Sequence, residues 1–263
     1  MRSDAVRLEE TRLRGIADIK DYPWFKERHR VFPAIFEDRG HRRILDLSAG
    51  AGCAALRIKE SYPAEILCND ICPACLSILA KAGLPTISFN LDDPATAFPF
   101  PDGSFDAAVS LVTIEHLIHP DHFLEETRRV LAPGGRLYIS TPNYAAPEFM
   151  VKMLLSGRSF HDPLASAEER YEFFGHVRYF TYRTLRDYVR SFGFALEAVY
   201  IAKPGGSSRF LALRAKSKVK AAAYRALMTA RHRVLPPRWA AEPILCFRKP
   251  GVAPGGKTRK VVL

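Results

Sequence analysis

The sequence predicts an α/β protein with a doubly wound, mostly parallel sheet. Short apolar runs alternate with helix-length segments from residue 42 to residue 202, as in strands joined by crossover helices. The first apolar run, at 44–47, leads directly into a glycine-rich loop, which is typical of a strand that turns into a helix. We expect a seven-stranded sheet, an N-terminal helical segment, and a helical insertion before the last strand.

Each element follows from its local pattern of apolar, capping and turn residues. Strands are expected at 44–47, 65–69, 86–90, 105–112, 136–141, 194–200 and 244–247. Helices are expected at 54–60, 73–82, 122–131, 182–192 and 218–234. A proline opens the second of these helices, and Thr181 and Gly193 bound the fourth.

The chain divides into four segments on this pattern. We expect an N-terminal helical cap at 1–41 and a core at 42–203, with a lid insertion at 142–180. A basic helical insertion and the last strand occupy 204–250, and a flexible tail occupies 251–263.

The excess positive charge is confined to the C-terminal part of the chain. The 263 residues contain 39 Lys and Arg and 28 Asp and Glu, for a net charge of +11. Residues 203–263 hold 15 of the basic residues and one acid, so they carry +14, and residues 1–202 carry −3. A mildly acidic body argues against a nucleic-acid-binding face across the active site.

Cysteine usage and hydropathy predict a cytoplasmic protein. Five unevenly spaced cysteines favour a reducing compartment over a disulfide framework. The first 15 residues lack the apolar run of a signal peptide, and no window is apolar enough to span a membrane.

The glycine loop after the first strand predicts a cofactor containing adenosine. Gly50 and Gly52 allow a tight turn and a close approach of ligand to backbone. Asp70 ends the second strand, where a carboxylate can bind both hydroxyls of a ribose. Both a dinucleotide and S-adenosylmethionine are compatible with the glycine loop and Asp70. Asp46 favours S-adenosylmethionine, because it would attract an ammonium group and repel a pyrophosphate.

Six segments resemble, in order, the motifs of class I S-adenosylmethionine-dependent methyltransferases of the small-molecule, ubiquinone-biosynthesis-like type. They read DLSAGAG at 46–52, NDICP at 69–73, FPFPDGSFD at 98–106, IEHL at 114–117, LAPGG at 131–135 and STPN at 140–143. The resemblance implies a Rossmann-like fold, S-adenosyl-L-methionine as cofactor, and methyl transfer to a small-molecule acceptor.

The resemblance also assigns a cofactor site residue by residue. It places Asp46, Ser48, Gly50 and Gly52 around the methionine part, Asp70 on the ribose, Ile71 against the adenine, Asn90, Leu91 and Asp92 at the adenine's far edge, Leu111 beside the cofactor, and Arg30 on the carboxylate. Ser48 departs from the pattern, because the family usually has glycine there.

Three histidines and one glutamate are candidates for catalysis. His116 follows the fourth strand and is a candidate general base, with Glu115 to orient it. His161 and His176 lie in the expected lid over the acceptor. No metal ligand set is predicted. Cys68, Cys72 and Cys75 have the spacing of a radical S-adenosylmethionine cluster, but buried or capping thiols are the favoured interpretation.

The acceptor and the basic segment remain open at this point. The lid segment weakly resembles insertions in methyltransferases of glycan or lipid-carrier biosynthesis, which favours O-methylation of a saccharide, lipid-linked or isoprenoid and aromatic hydroxyl. Alternatives are a catalytically silent binding module of the same fold and a nicotinamide-dependent reductase. Residues 216–238 are expected to form a basic amphipathic helix. Three roles fit such a helix: packing on the core, lying on an anionic membrane surface, or binding a phosphate backbone.

Overall fold

The computed structural model describes residues 3–22, 39–158, 160–202, 208–251 and 258–262. The strands within them are β1 Arg43–Leu47, β2 Glu65–Asn69, β3 Thr86–Ile87, β4 Phe105–Leu111, β5 Leu131–Ser140, β6 Ala195–Ile201, β7 Ile244–Arg248 and β8 Arg259–Val262. The helices are α1 Ser3–Arg12, α2 Cys53–Ser61, α3 Pro73–Lys81, α4 Pro120–Val130, α5 Pro147–Ser156, α6 Ala167–Gly175, α7 Tyr182–Ser191, α8 Ser208–Lys216 and α9 Lys218–Val234.

The strands form one sheet in the order β3-β2-β1-β4-β5-β7-β6-β8. Strands β1 to β5 pair in parallel, and β7 runs antiparallel to both β5 and β6. The chain winds outward from β1 in one direction and from β4 in the other. The carboxyl ends of β1 and β4 therefore frame a crevice at the switch point, where open α/β sheets bind their ligands.

The predicted mixed α/β, doubly wound fold is confirmed, with one strand more than expected. The eighth strand comes from the end of the segment predicted to be a flexible tail. Strand β8 pairs in parallel with β6, and Lys260 Nζ donates to the carbonyl oxygens of Arg233 and Leu235, at 2.6 and 3.0 Å. These bonds fasten β8 to the end of α9.

The core lies on both faces of the sheet. Along β1, Ile44 packs with α2 and α3 on one face, whereas Leu45 and Leu47 pack with α4 and α7 on the other. Covering both faces explains why the strands are almost continuously apolar and why they could be recognised from sequence.

The basic segment has an apolar stripe that is exposed to solvent. Val219, Leu227 and Val234 on α9 are 78, 68 and 80% exposed, and within the described part of α9 only Ala221 is buried. Among the described residues, no helix combines the length and the apolar character needed to cross a membrane.

Candidate active site

A cleft of about 950 Å³ opens at the carboxyl edge of the sheet. Five parts of the chain contribute to its lining: the loop after β1, the end of β2, the end of β4, helix α1 and helix α6. Its lining includes Glu9, Arg12, Ser48, Gly50, Asp70, Ile71, Leu111, His116, Tyr171 and Glu172. This space includes the open solvent at the mouth of the cleft.

The glycine loop shapes one wall of the cleft. Ser48 and Gly50 line the cleft and both have left-handed backbone, with φ of 64° and 57°. A Cβ on Gly50 would meet open space, so that position leaves room for a ligand. A Cβ on Gly52 would lie 2.5 Å from Leu79 Cδ2, so this glycine is required for packing of the loop against α3.

Asp70 connects the two loops at this edge. Its Oδ2 accepts a hydrogen bond from the Gly50 N–H and its Oδ1 accepts one from the Cys72 N–H, both at 2.8 Å. Burial raises the pKa of Asp70, although these hydrogen bonds oppose the shift. Each carboxylate oxygen keeps a second lone pair, so Asp70 can hold the loop and still accept from a ligand hydroxyl.

Asp46 is a buried acid behind the loop, and its Oδ2 has no hydrogen-bond partner among the described residues. Burial, and to a lesser extent the Asp70 carboxylate, raises the pKa of Asp46 to about 7. An unpartnered buried carboxylate oxygen fits a ligand ammonium group and does not fit a phosphate.

The raised pKa of Asp46 predicts a pH-dependent loss of stability. An acid whose pKa is higher in the folded than in the unfolded state binds more protons when folded, so the free energy of unfolding falls as the pH rises from about 4 to about 7. We expect this contribution to be up to about 1.4 kcal/mol per pH unit in the wild type and to be absent in Asp46→Asn. Urea unfolding of the ligand-free protein at pH 5, 6 and 7 measures this. Asp21→Asn, at an exposed carboxylate, is the control and should follow the wild-type profile.

The remaining predicted cofactor residues fall into three groups. Ile71 and Leu111 line the cleft as expected. Leu91 is buried in the core, and Asp92 Oδ1 accepts hydrogen bonds from the backbone N–H groups of Ile118 and His119, at 2.8 and 2.6 Å. Neither they nor Asn90 line the cleft, so their contact with the adenine stays a prediction. Arg30 lies outside the described residues.

Arg12 is a cleft residue that the sequence reasoning missed. It pairs with Glu9 on α1, donates to the Tyr22 hydroxyl, and its guanidinium lies 5.4 Å from the centre of the Tyr171 ring. It thus lines the cleft as a cation from the N-terminal helix, the role expected of Arg30. Only its place in an N-terminal helix could have suggested it.

Three of the four candidate catalytic residues, Glu115, His116 and His176, come together at the end of β4. Glu115 is fully buried, and neither of its carboxylate oxygens has a hydrogen-bond partner among the described residues. Its Oε1 lies 4.0 Å from His176 Nε2, and the rings of His116 and His176 are 4.6 Å apart. Ligand atoms of all three residues lie within 4.8 Å of one another.

The lid, and not Glu115, orients His116. Nδ1 of His116 lies 3.0 Å from the Gly175 carbonyl oxygen, at the end of α6. Burial, with His176 nearby, lowers the pKa of His116 to about 4, so the ring is neutral at pH 7. Burial raises the pKa of Glu115 to about 8. The site therefore holds a neutral imidazole beside an acid that binds a proton more tightly than usual.

A buried chain of polar groups continues from His176 into the lid. The Tyr144 hydroxyl lies 2.6 Å from His176 Nδ1 and 2.8 Å from His161 Nε2. His161 Nδ1 lies 3.3 Å from Glu169 Oε2. His161 therefore acts behind His176 and is not a residue of the cleft lining.

The cysteines match the favoured interpretation. Cys68, Cys72 and Cys75 are buried, and they pack in the apolar core beside α2 and α3. Burial raises the pKa of the Cys68 thiol well above its usual range, which is unfavourable for a thiolate ligand.

Comparison with known proteins decides the family. A model of the methyltransferase domain matches residues 16–199, which is more than half of the chain. The chain belongs to the methyltransferase domain family. The predicted resemblance is thereby confirmed, and with it S-adenosyl-L-methionine as the cofactor that membership implies.

Two curated relatives show the extent of the similarity. Demethylmenaquinone methyltransferase of Thermus thermophilus is 41% identical over 106 residues, covering 39% of this chain and 48% of that protein. Malonyl-[acyl-carrier protein] O-methyltransferase of Geobacter sulfurreducens is 37% identical over 128 residues, covering 46% and 48%. The chain spans about half the length of the curated relatives it matches.

Solved structures share the fold at low sequence identity. Haemonchus contortus phosphoethanolamine N-methyltransferase 2, bound to S-adenosylhomocysteine, superposes with a TM-score of 0.60 at 16% identity, over 94% of this chain and 60% of that one. The [4+2]-cyclase SpnF superposes with a TM-score of 0.53 at 19% identity, over 80% and 75%. The domain architecture therefore does not by itself decide the reaction.

Proposed function

We propose that this protein transfers the methyl group of S-adenosyl-L-methionine to a hydroxyl oxygen of a small molecule. One observation carries the proposal: His116, which lines the same cleft as the glycine loop and Asp70, belongs to a cluster with the buried Glu115 and His176. A neutral imidazole beside a cofactor site is what an oxygen acceptor needs, because a neutral hydroxyl must lose its proton as it takes the methyl group.

Three chemically distinct contacts would hold the cofactor, two from residues that line the cleft and one from Asp46 behind the glycine loop. The Asp46 carboxylate would attract the ammonium group, and Arg12 would attract the carboxylate of the amino-acid part. Asp70 would accept from the ribose hydroxyls while its backbone hydrogen bonds hold Gly50 in place. The cofactor supplies a methyl group on a positively charged sulfur, and the cleft residues hold it in line with the acceptor.

The acceptor would enter between the end of β4 and the lid. There the aromatic ring of Tyr171 lines the cleft, centred 6.4 Å from the ring of His116. Such a wall suits an apolar or ring-shaped acceptor whose hydroxyl reaches His116. We propose a saccharide, lipid-linked, isoprenoid or aromatic hydroxyl as the acceptor class.

A methyl-transfer assay tests the proposal. The protein would be incubated with ¹³C-methyl S-adenosylmethionine and a panel of phenolic, quinol, saccharide and polyprenyl-phosphosugar acceptors, followed by mass spectrometry. We expect the labelled methyl group on oxygen. His116→Ala should lower kcat by at least about 100-fold, because it removes the imidazole that lines the cleft. Stoichiometric cofactor binding without transfer to any acceptor class would favour a silent binding module.

We further propose that residues 216–238 contact an anionic membrane surface. The stripe of Val219, Leu227 and Val234 is exposed, and Lys216, Lys218, Lys220, Arg225, Arg231 and Arg233 flank it. Arg231 also pairs with Glu148 at 2.7 Å, which joins the last turn of α9 to the first turn of α5 in the lid. A helix with basic residues beside an exposed apolar stripe is suited to lie in a bilayer interface.

Co-sedimentation with phosphatidylglycerol vesicles at physiological salt tests the membrane contact. We expect binding to anionic vesicles, and weaker binding for Val219→Ser/Leu227→Ser, because those side chains would enter the interface. Phosphatidylcholine vesicles are the control for charge. Absence of binding to anionic vesicles would contradict the proposal, and an equal affinity for duplex RNA would favour the phosphate-backbone alternative.

A further inference from the structure

The cluster at the end of β4 brings carboxylate oxygens and an imidazole nitrogen close together in a buried place. Both Glu115 carboxylate oxygens are buried without a hydrogen-bond partner among the described residues. His176 Nε2 lies 4.0 Å from Glu115 Oε1 and 2.5 Å from Glu172 Oε2. An unpaired buried carboxylate is costly, so a positive charge or an added proton must stabilise this arrangement.

The hydrogen-bond chain in the lid fixes which nitrogen of His176 holds the proton. The chain ends on Glu169, a carboxylate that only accepts, so neutral His161 donates from Nδ1 and accepts at Nε2. The Tyr144 hydroxyl then donates to His161, and its oxygen accepts from Nδ1 of His176. On this assignment His176 Nε2 has no proton of its own, and its 2.5 Å separation from Glu172 Oε2 requires a proton or a cation between the two atoms.

The same logic applies to His116. Its Nδ1 lies 3.0 Å from the Gly175 carbonyl oxygen, which can only accept, so Nδ1 carries the proton. Nε2 of His116 is then also a lone pair. Each imidazole thus donates an outer hydrogen bond from Nδ1 and keeps Nε2 unprotonated, which is the usual arrangement around a metal-ligating histidine.

We propose that Glu115, His116 and His176 bind a divalent first-row transition metal ion, with Glu172 as a further oxygen donor. Two imidazole nitrogens and one carboxylate oxygen suit zinc, iron or manganese better than magnesium or calcium, which prefer oxygen alone. Their ligand atoms already lie within 4.8 Å of one another, so small side-chain movements complete the site.

The metal would act on the acceptor, and this use rests on the proposed methyl transfer. His116 and Glu172 both line the cleft, so a coordination position toward the cleft is open to an acceptor oxygen. A bound metal ion lowers the pKa of a coordinated hydroxyl. The hydroxyl proton passes to solvent or to Glu172, an O–CH3 bond forms, and the C–S bond breaks to give S-adenosylhomocysteine.

Metal binding can be tested without any methyl acceptor. Untagged protein, stripped with a chelator, would be titrated with Co²⁺ and followed by its visible absorption, and with Zn²⁺ by calorimetry. We expect one Co²⁺ per chain, with affinity lowered at least about 10-fold in Glu115→Gln and in His176→Asn, because each removes one ligand. His119→Gln, at an exposed histidine that pairs with Asp92 outside the cluster, should bind like the wild type.

Cofactor binding separates this inference from the proposed function. Each variant would also be titrated with S-adenosylmethionine, which shows whether the cleft remains folded. Wild-type protein that binds neither Co²⁺ nor Zn²⁺, or a Glu115→Gln variant with unchanged metal affinity, would overturn the inference. Methyl transfer by chelator-treated protein at the full rate would overturn the metal's role and leave the proposed function standing.

Discussion

Gly52→Ala is expected to lower the free energy of unfolding by about 2–5 kcal/mol. The alanine methyl group would lie 2.5 Å from Leu79 Cδ2 and 3.1 Å from Ile19 Cδ1, in a packed region beside α3. Overpacking of this kind costs about 1–3 kcal/mol. The backbone φ of 83° adds about 1–2 kcal/mol for a residue with a Cβ.

Gly50→Ala is the matched control for this prediction. Gly50 also has a positive φ, of 57°, but a Cβ there meets nothing within 4 Å. Only the backbone contribution of about 1–2 kcal/mol should remain. Urea unfolding of both variants without ligand gives the comparison. Equal destabilisation would show that the contact with Leu79 is not what requires glycine at position 52.

Asp70→Asn is expected to weaken S-adenosylmethionine binding by about 10- to 100-fold. The carboxylate accepts from the Gly50 and Cys72 N–H groups and faces the cleft. An amide can replace one accepting oxygen but presents a donor in place of the other. Losing hydrogen bonds to a charged acceptor is worth about 1.5–3 kcal/mol. Isothermal titration calorimetry measures the change.

Asp93→Asn is the control for this variant, because it alters an exposed carboxylate in the loop after β3. Its cofactor affinity should equal that of the wild type. The two variants would be compared at equal folded fraction, checked by circular dichroism. An Asp70→Asn variant that binds the cofactor with wild-type affinity would remove Asp70 from the binding site.

The parallel half of the sheet was predictable because its signals are local. Each buried strand is a short apolar run, and the glycine loop and Asp70 follow their strands directly. The reason for Gly52 was not predictable in the same way. Its packing partner Leu79 is 27 residues further along the chain and belongs to a different element.

The residues that depend on long-range contacts could be predicted only in part. Sequence motifs indicated His116 and Glu115, and the lid position indicated His176, but not that all three would share one cluster. His116 and His176 are brought together by the path of the lid, 60 residues along the chain. Arg12 was missed because nothing in a polar N-terminal helix shows which of its cations turns toward the cleft.

The exposure of α9 also could not be read from periodicity. An apolar stripe on a helix usually indicates the face that packs on the core. Here Val219, Leu227 and Val234 face outward because α9 packs through α8 and β8 at the edge of the sheet. Periodicity predicts that an apolar face exists and leaves its partner undetermined.

Titration of the wild-type protein with S-adenosylmethionine, and separately with NADH, tests the central claim most directly. The unpartnered carboxylate of Asp46, the hydrogen-bonded Asp70 and the cleft cation Arg12 predict one S-adenosylmethionine site per chain. The same Asp46 predicts no measurable binding of NADH, whose pyrophosphate it would repel. Saturable binding of NADH, with no heat of binding from S-adenosylmethionine, would contradict the assignment of the cleft to S-adenosylmethionine.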